Sequence, residues 1–137
     1  MIVSTRGRYA LRVLIELAEQ ESNGFKPLKE IANHQKISIK YLECIMTELS
    51  KNGLVIAQHG KGGGYKLNKA PSEYKIGDIL RITEGTLAPV ACLEDNASEC
   101  PQSSKCKTIK LWKELDELVK GYLDNKTLAD LMVKDEE

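Results

Sequence analysis

Three of the four cysteines fall close together in the second half of the chain. Cys92, Cys100 and Cys106 have seven and five residues between them. Thiolates are the preferred ligands of iron-sulfur clusters and of zinc, but structural zinc sites usually have about two to four residues between paired cysteines. The spacing therefore disfavours zinc and favours an iron-sulfur cluster, of the 2Fe-2S or the 4Fe-4S type. Redox-sensing thiols, a site for another metal and incidental cysteines are the alternatives, because three thiols leave a four-coordinate cluster one ligand short.

The surroundings of Cys106 favour its thiolate form. Cys106 lies just before a predicted helix, where free backbone amides and the helix dipole stabilise negative charge, and Lys105 and Lys107 add positive charge. Cys44 is a separate case, because a lone cysteine within a predicted helix is more often a small packing residue than a ligand.

A glycine-rich basic segment lies earlier in the chain. Two short apolar runs, residues 54–57 and 65–67, are separated by seven residues that contain four glycines. This pattern predicts a β-hairpin with a basic tip, at which glycines let the backbone approach phosphate groups closely. The candidate DNA contacts in the tip are His59, Lys61, Gly62 and Gly63. An ordinary surface turn is the alternative.

Two short helices are predicted just before the hairpin. The first follows Pro27, and the second follows Ser38, a favourable N-cap residue, and ends near Gly53. The second helix has an apolar stripe at Leu42, Ile45, Met46 and Leu49. Its N-terminal end carries side chains suited to base edges in the major groove, namely Ser38, Lys40, Tyr41 and Glu43. Helices and hairpin together predict a winged helix-turn-helix that binds double-stranded DNA, whereas a helical hairpin without a DNA function is the alternative.

The charge distribution agrees with this prediction. The 137 residues carry no net charge, but residues 1–70 hold 11 Lys and Arg against 6 Asp and Glu, whereas residues 71–137 hold 9 against 14. The basic half, at +5, contains the predicted DNA-binding motif. The sequence has neither a long apolar run nor a leader, so we expect a cytoplasmic protein with reduced thiols. No nucleophile and base are suitably paired, so we expect no enzyme activity.

The flanking segments are predicted to support the motif. Ser4 or Thr5 caps a first amphipathic helix with an apolar stripe, on which Arg6, Arg8 and Arg12 either reach phosphate or face solvent. The stripe consists of Tyr9, Ala10, Val13, Leu14, Leu17 and Ala18. A connector helix ends at Gly85, so we expect residues 1–85 to form the DNA-binding domain.

The remaining chain divides into a loop and a long helix. Residues 86–107 show little periodicity and hold the three cysteines, which is typical of a functional loop. Residues 108–137 are predicted to form a long amphipathic helix and a last short helix that Asn125 caps. The long helix has an apolar face at Leu111, Trp112, Leu115, Leu118, Val119 and Tyr122. We expect this face to pack against the same helix of a second subunit, with burial against the first helix as the alternative. The expected fold is mainly α with a small β-hairpin.

Several segments together resemble the Rrf-two family of bacterial winged-helix repressors. They are STRGRYALRVLIELA, LKEIA, HGKGGGYKL, IGDILRITEG and NKTLADL, and they cover nearly the whole chain. The resemblance implies a homodimer that binds a pseudo-palindromic operator. It also implies that Cys92, Cys100 and Cys106 are the three cluster cysteines of the cluster-binding members.

The fourth ligand departs from the family pattern. The resemblance implies a histidine at position 109 or an aspartate at position 8, whereas this chain has Ile109 and Arg8. Cys44, His34, a nearby carboxylate and an exogenous thiol are the remaining candidates. A cluster-free regulator switched by a metabolic enzyme or a small molecule is the alternative within the family. A redox or iron-sulfur protein with incidental DNA binding is the alternative outside it.

Overall fold

The first helix forms the floor of the fold. In the computed structural model, which describes residues 3–20, 24–94 and 106–132, this helix (α1) spans Thr5–Ala18. The Ser4 hydroxyl caps it by accepting a hydrogen bond from the Gly7 amide at 2.9 Å. The residues of the predicted stripe that are buried are Ala10, Val13, Leu14 and Leu17. The predicted amphipathic helix is therefore present, with its apolar face towards the core.

A helix-turn-helix packs on α1. The helix α2 spans Leu28–Gln35 and ends at Lys36, which adopts a left-handed conformation with φ 58°. The helix α3 spans Ile39–Lys51, and the Ser38 hydroxyl caps it by accepting from the Tyr41 amide at 3.0 Å. The predicted apolar stripe of α3 is buried, at Leu42, Ile45, Met46 and Leu49.

Two antiparallel strands follow. The strands β1 (Val55–Gln58) and β2 (Gly64–Leu67) pair in a register that places Val55 opposite Leu67. The hairpin of residues 55–67, here called the wing, is held to the segment before α2 by a backbone bridge between Lys26 and Tyr65. The two amide-to-carbonyl distances of this bridge are 2.8 and 2.9 Å. The predicted mainly α fold with one small hairpin is confirmed.

Tyr74 connects the wing to the rest of the core. It follows a short 3-10 turn (Pro71–Glu73) and precedes the helix α4 (Ile76–Glu84). Its side chain is buried, and its hydroxyl donates to the Leu54 carbonyl at 2.6 Å and accepts from the Asn68 amide at 3.1 Å. Burial raises the pKa of this hydroxyl. Tyr74 therefore anchors the base of the wing.

The C-terminal segment extends from this core and then returns to it. The helix α5 spans Ile109–Asp124, and the short helix α6 spans Leu128–Leu131. The prediction that Asn125 caps the last helix was wrong. Asn125 instead ends α5, where its side-chain amide donates to the Gly121 carbonyl, and Thr127 caps α6 in a capping box with Asp130. Of the helices described, none is long and apolar enough to cross a membrane.

An ion pair joins α4 to the C-terminal end of α5. Both guanidinium Nη atoms of Arg81 lie 2.8 Å from the two carboxylate oxygens of Asp124. Leu128 adds a backbone hydrogen bond from its amide to the Tyr74 carbonyl at 3.1 Å. The C-terminal end of the long helix and the segment after it are thus attached to α4 and to Tyr74 before it.

This ion pair predicts an acid-sensitive contribution to stability. The hydrogen bonds and charge of Arg81 hold the pKa of Asp124 below its usual value, so the stabilisation is complete above the unfolded-state pKa and is lost as pH falls through the folded-state pKa. We expect Asp124→Asn to lower the free energy of unfolding by about 1 kcal/mol at neutral pH. Urea titrations should show that this difference is constant above about pH 5 and shrinks below about pH 4. A difference that stays constant down to about pH 3 would contradict the assignment.

Candidate nucleic-acid interface and cysteine sites

The outer face of α3 is exposed along its whole length. While the buried stripe fixes one side of the helix, the opposite side carries exposed side chains at Ile39, Lys40, Glu43, Cys44 and Thr47. Ser38, also exposed, caps the helix. Tyr41 is half-buried and packs edge-on against Tyr9, with ring centroids 6.1 Å apart. The α3 surface therefore presents one cationic, one anionic and one apolar side chain within its first five residues.

The tip of the wing is open and basic. Gly60 and Gly62 adopt left-handed conformations, with φ of 89° and 78°. A Cβ atom on Gly63 would overlap the carbonyl oxygen of Gln58, so this position also requires glycine. His59 and Lys61 are exposed at the tip. The backbone of the tip is thus accessible, with a cation beside it.

The wing and α3 share one cleft. Glu43 from α3 and Gln58, His59 and Gly60 from the wing line a cleft of about 310 Å³, together with Pro27 and Tyr65 at its base. Of the residues that the sequence singled out, Glu43 on α3 and His59 and Gly63 in the wing therefore line one cleft.

The three arginines of α1 have different environments. Arg8 is exposed, and its side chain donates to the hydroxyl of its neighbour Thr5 at 3.2 Å. Arg6 donates to the Thr83 carbonyl at 3.1 Å and lies 3.5 Å from a Glu48 carboxylate oxygen. Arg6 therefore links α1 to α4 and α3 while its side chain stays exposed to solvent, as one of the two interpretations of the sequence expected.

Arg12 is also engaged within the chain. Its Nε donates to the Gln35 side chain at 2.9 Å, and its guanidinium lies 4.7 Å from the centre of the Tyr9 ring. Of the three arginines, Arg8 has the side chain most available to a ligand.

Sequence reasoning missed a polar cluster around Glu16. The Glu16 carboxylate contacts the Gln35 amide at 2.6 Å, the His34 ring at 2.8 Å and the Lys26 ammonium at 3.0 Å. Burial alone raises the pKa of Glu16, but the hydrogen bonds from Gln35, His34 and Lys26 outweigh it and hold the pKa below its usual value. The cluster fixes α2 on α1. No local signal reveals it, because its members lie on different elements.

The cysteine sites are described in part. Cys92 is exposed in a 3-10 turn (Ala91–Leu93), Cys106 is half-buried just before α5, and Cys100 lies outside the described residues. Cys106 Sγ lies 3.4 Å from the Thr108 hydroxyl. Hydrogen bonds from the Thr108 side chain and from the Thr108 and Ile109 amides lower the pKa of the Cys106 thiol. The backbone amides that the sequence predicted beside Cys106, at the start of α5, are therefore present.

The thiolates of Cys92, Cys100 and Cys106 are ligands of the type that an iron-sulfur cluster binds. A four-coordinate cluster needs one ligand more than these three. Neither Ile109 nor Arg8 is a metal ligand. Within residues 3–20, 24–94 and 106–132, no three His, Cys, Asp or Glu side chains form a group suited to a metal ion. Cys44, on the exposed face of α3, and His34, paired with Glu16, therefore do not complete a site with Cys92 and Cys106 there.

Comparison with known proteins identifies the family. The family model Rrf2, described as "Iron-dependent Transcriptional regulator", matches residues 3–134. The chain belongs to the Rrf2 family. The regulator IscR of Serratia proteamaculans (strain 568) is 36% identical to it over 132 residues, which cover 96% of this chain and 79% of IscR. The resemblance to the Rrf-two family is thereby confirmed.

Solved structures of Rrf2 proteins have the same fold. The structure of CymR, the global cysteine regulator of B. subtilis, is 40% identical with a TM-score of 0.77, and the match covers 96% of this chain and 95% of CymR. IscR of T. potens is 33% identical with a TM-score of 0.71, covering 96% and 85% of the two chains. The protein is thus a DNA-binding transcriptional regulator of the IscR and CymR type, and its relatives form a family of regulators rather than enzymes.

Proposed function

We propose that this protein is a homodimeric, sequence-specific transcriptional regulator whose DNA affinity is set by the state of Cys92, Cys100 and Cys106. The observation that carries the proposal is the cleft in which Glu43 of α3 faces His59 and Gly60 of the wing, because a side chain suited to a base edge then lies beside a glycine-rich tip that carries Lys61. In this assignment residues 1–85 bind DNA, residues 86–107 sense the signal, and residues 108–137 hold the dimer together.

The DNA contacts divide into base reading and phosphate binding. Glu43 accepts a hydrogen bond from the amino group of a cytosine, and Ser38, Lys40 and Tyr41 contact the duplex beside it. Arg8 binds phosphate from α1. The tip of the wing places Lys61 and His59 on the backbone or in the minor groove, where Gly62 and Gly63 allow close approach.

The dimer interface is the apolar face of α5. The described part of the chain buries no residue of this helix, and its exposed fractions are 56% at Leu111, 37% at Leu115, 72% at Leu118 and 64% at Tyr122. Spacings of four, three and four residues place these side chains on one stripe. A second copy of the same helix covers the stripe and gives two-fold symmetry, which suits paired half-sites on DNA.

The signal is read by the three thiols. They would supply three thiolate ligands to an iron-sulfur cluster. The fourth ligand would differ from the histidine or aspartate that the family resemblance implies, because this chain has Ile109 and Arg8 at those positions. A bound cluster would supply an oxidation-sensitive charge next to α5. The Arg81–Asp124 pair attaches α5 to α4, so a change in the loop can reorient the DNA-binding halves. Control of the same dimer by a metabolic enzyme or a small molecule, without a cluster, is the second candidate, favoured by the likeness to a cysteine regulator.

Removal of the lysine at the wing tip tests the phosphate contact. We expect Lys61→Ala to weaken binding to all duplexes and to reduce the slope of log affinity against log salt by about 1, because one fewer counterion is released. Lys113→Ala, on the charged face of α5, is the matched control and should leave the slope unchanged. Equal slopes for Lys61→Ala and the unmodified protein would contradict the assignment of the wing.

Anaerobic purification tests the cluster. We expect a coloured protein that contains iron and loses both colour and iron in Cys92→Ala, since thiolates are the expected ligands. Absorbance and iron analysis of Cys44→Ala should match the unmodified protein, whereas loss of colour there would identify Cys44 as the fourth ligand. A colourless, iron-free protein would contradict cluster binding and would favour the second candidate, a regulator that works without a cluster.

A further inference from the structure

Ile39 is exposed at a position where the fold does not require an apolar side chain. It is the first residue of α3 and 44% exposed. Ile37, immediately before the capping Ser38, and Leu42 both belong to the packed core, as a hydrophobic staple at the start of the helix requires. Ile39 is not among the buried or partly buried residues of that cluster, and a β-branched residue has only moderate helix propensity. The exposed part of this isoleucine is therefore open to a ligand.

The neighbours of Ile39 place it on the surface assigned to DNA. Glu43 follows it by four residues, so the two exposed side chains lie on the same face of α3, roughly 5–6 Å apart at Cβ. Successive bases of one DNA strand are separated by about 3.4 Å. The pair Ile39 and Glu43 therefore spans about one or two base-pair steps.

The chemistry of Ile39 selects one base. Thymine alone among the four bases presents a methyl group in the major groove, and an apolar side chain recognises it by contact. Resting on the function proposed above, we infer that Ile39 reads the C5 methyl of a thymine that lies one or two steps from the cytosine read by Glu43. The ligand class is thus a half-site that contains a neighbouring thymine and cytosine.

A protein partner is a poorer match to this side chain. Lys40, Glu43 and Cys44 surround Ile39 on the exposed face, so the apolar surface is one side chain rather than a contiguous patch. The methyl group of one thymine, in contrast, is small enough to be covered by one exposed isoleucine side chain.

Replacement of thymine by deoxyuridine tests the inference, because it removes only the methyl group. The probe is the duplex that the protein itself selects from a random-sequence pool, with each thymine of a half-site replaced in turn. We expect one position at which the unmodified protein loses about fourfold in affinity, the value for one buried methyl group. Ile39→Ala should lose the same factor on the thymine duplex and nothing further on the deoxyuridine duplex. Ile39→Val should retain part of the discrimination.

The controls separate this inference from the function on which it rests. Glu43→Ala should keep the thymine-to-deoxyuridine difference while relaxing the preference for cytosine, and circular dichroism should show that Ile39→Ala is folded at the temperature of the DNA titration. If no deoxyuridine replacement weakens DNA binding by the unmodified protein, the assignment of Ile39 to a thymine methyl is overturned. It is also overturned if Ile39→Ala keeps the full difference in affinity between the thymine and deoxyuridine duplexes. Failure to select any consensus duplex would instead contradict the proposed function.

Discussion

Leu118→Asp is expected to convert the dimer into monomers and to weaken operator binding by at least about 100-fold. Leu118 is 72% exposed in the single chain and lies on the stripe that also holds Leu115 and Tyr122. In the proposed dimer this side chain is covered by the partner helix, so an aspartate there would be a buried, unpaired charge. The large loss in affinity follows because two linked half-sites bind far more tightly than one.

Sedimentation and DNA titration measure the two effects. Lys113→Asp adds a carboxylate to the charged face of α5 and is the matched control, expected to remain dimeric. Circular dichroism should show that Leu118→Asp keeps its helices, since the replaced side chain is not part of the core of the single chain. A Leu118→Asp protein that sediments as a dimer, or an unmodified protein that sediments as a monomer at micromolar concentration, would contradict the α5 interface.

Gly64→Ala is expected to lower the free energy of unfolding by about 3 kcal/mol and to abolish sequence-specific binding. Gly64 has a φ of 147°, and a Cβ there would overlap the Lys26 carbonyl. That carbonyl accepts the Tyr65 amide in the bridge that ties the wing to the segment before α2. The substitution therefore forces apart two backbone segments and displaces the wing from the groove.

Gly62→Ala provides the comparison for this effect. Gly62 also has a positive φ, of 78°, but a Cβ there meets no atom within 4 Å. Its cost is limited to backbone strain of about 1–2 kcal/mol. Urea unfolding of the two variants should give a clearly larger loss of unfolding free energy for Gly64→Ala. Equal losses for the two variants would show that the bridge to Lys26 does not fix the wing.

Local signals predicted much of the fold. Ser38 begins α3, Gly53 and Gly85 follow α3 and α4 with positive φ, and the periodic apolar residues of α1 and α3 are buried. Each of these signals acts within a few residues of the chain. The single wrong cap, Asn125, illustrates the limit, because an asparagine at a helix junction can end one helix or begin the next. Here Thr127 and Asp130 form the better cap two residues later.

Contacts between distant elements were not predictable from the same signals. The interactions of Arg6 with Thr83 and Glu48, and the cluster of Glu16 with His34, join residues on different helices. Spacing along one helix identifies an exposed or buried face, but it does not identify the side chain that faces it from another element. For this reason the sequence did not predict that Arg6 and Arg12, which are exposed, also form contacts with other elements of the fold.

The candidate site shows the same division. The exposed face of α3 and the glycine-rich tip follow from residue type and spacing, and the structure adds the groove that Glu43 and His59 share. The cysteine loop has no periodicity from which its conformation can be derived, and its ligand count depends on a fourth group that spacing does not provide. Ile39 was overlooked because an exposed isoleucine gives no pattern; its exposure becomes meaningful only beside Glu43 on a described helix.

The central claim is that the groove between α3 and the wing reads a DNA sequence. Fluorescence anisotropy with a labelled duplex from the selected consensus, competed at one fixed salt concentration by the same duplex unlabelled and by a scrambled duplex of equal length, measures it directly. We predict that the consensus competes at least about 1,000-fold better than the scrambled duplex, the lower end for specific regulators. Equal competition by the two duplexes, weakening steeply with salt, would show that only the phosphate backbone is recognised and would contradict the claim.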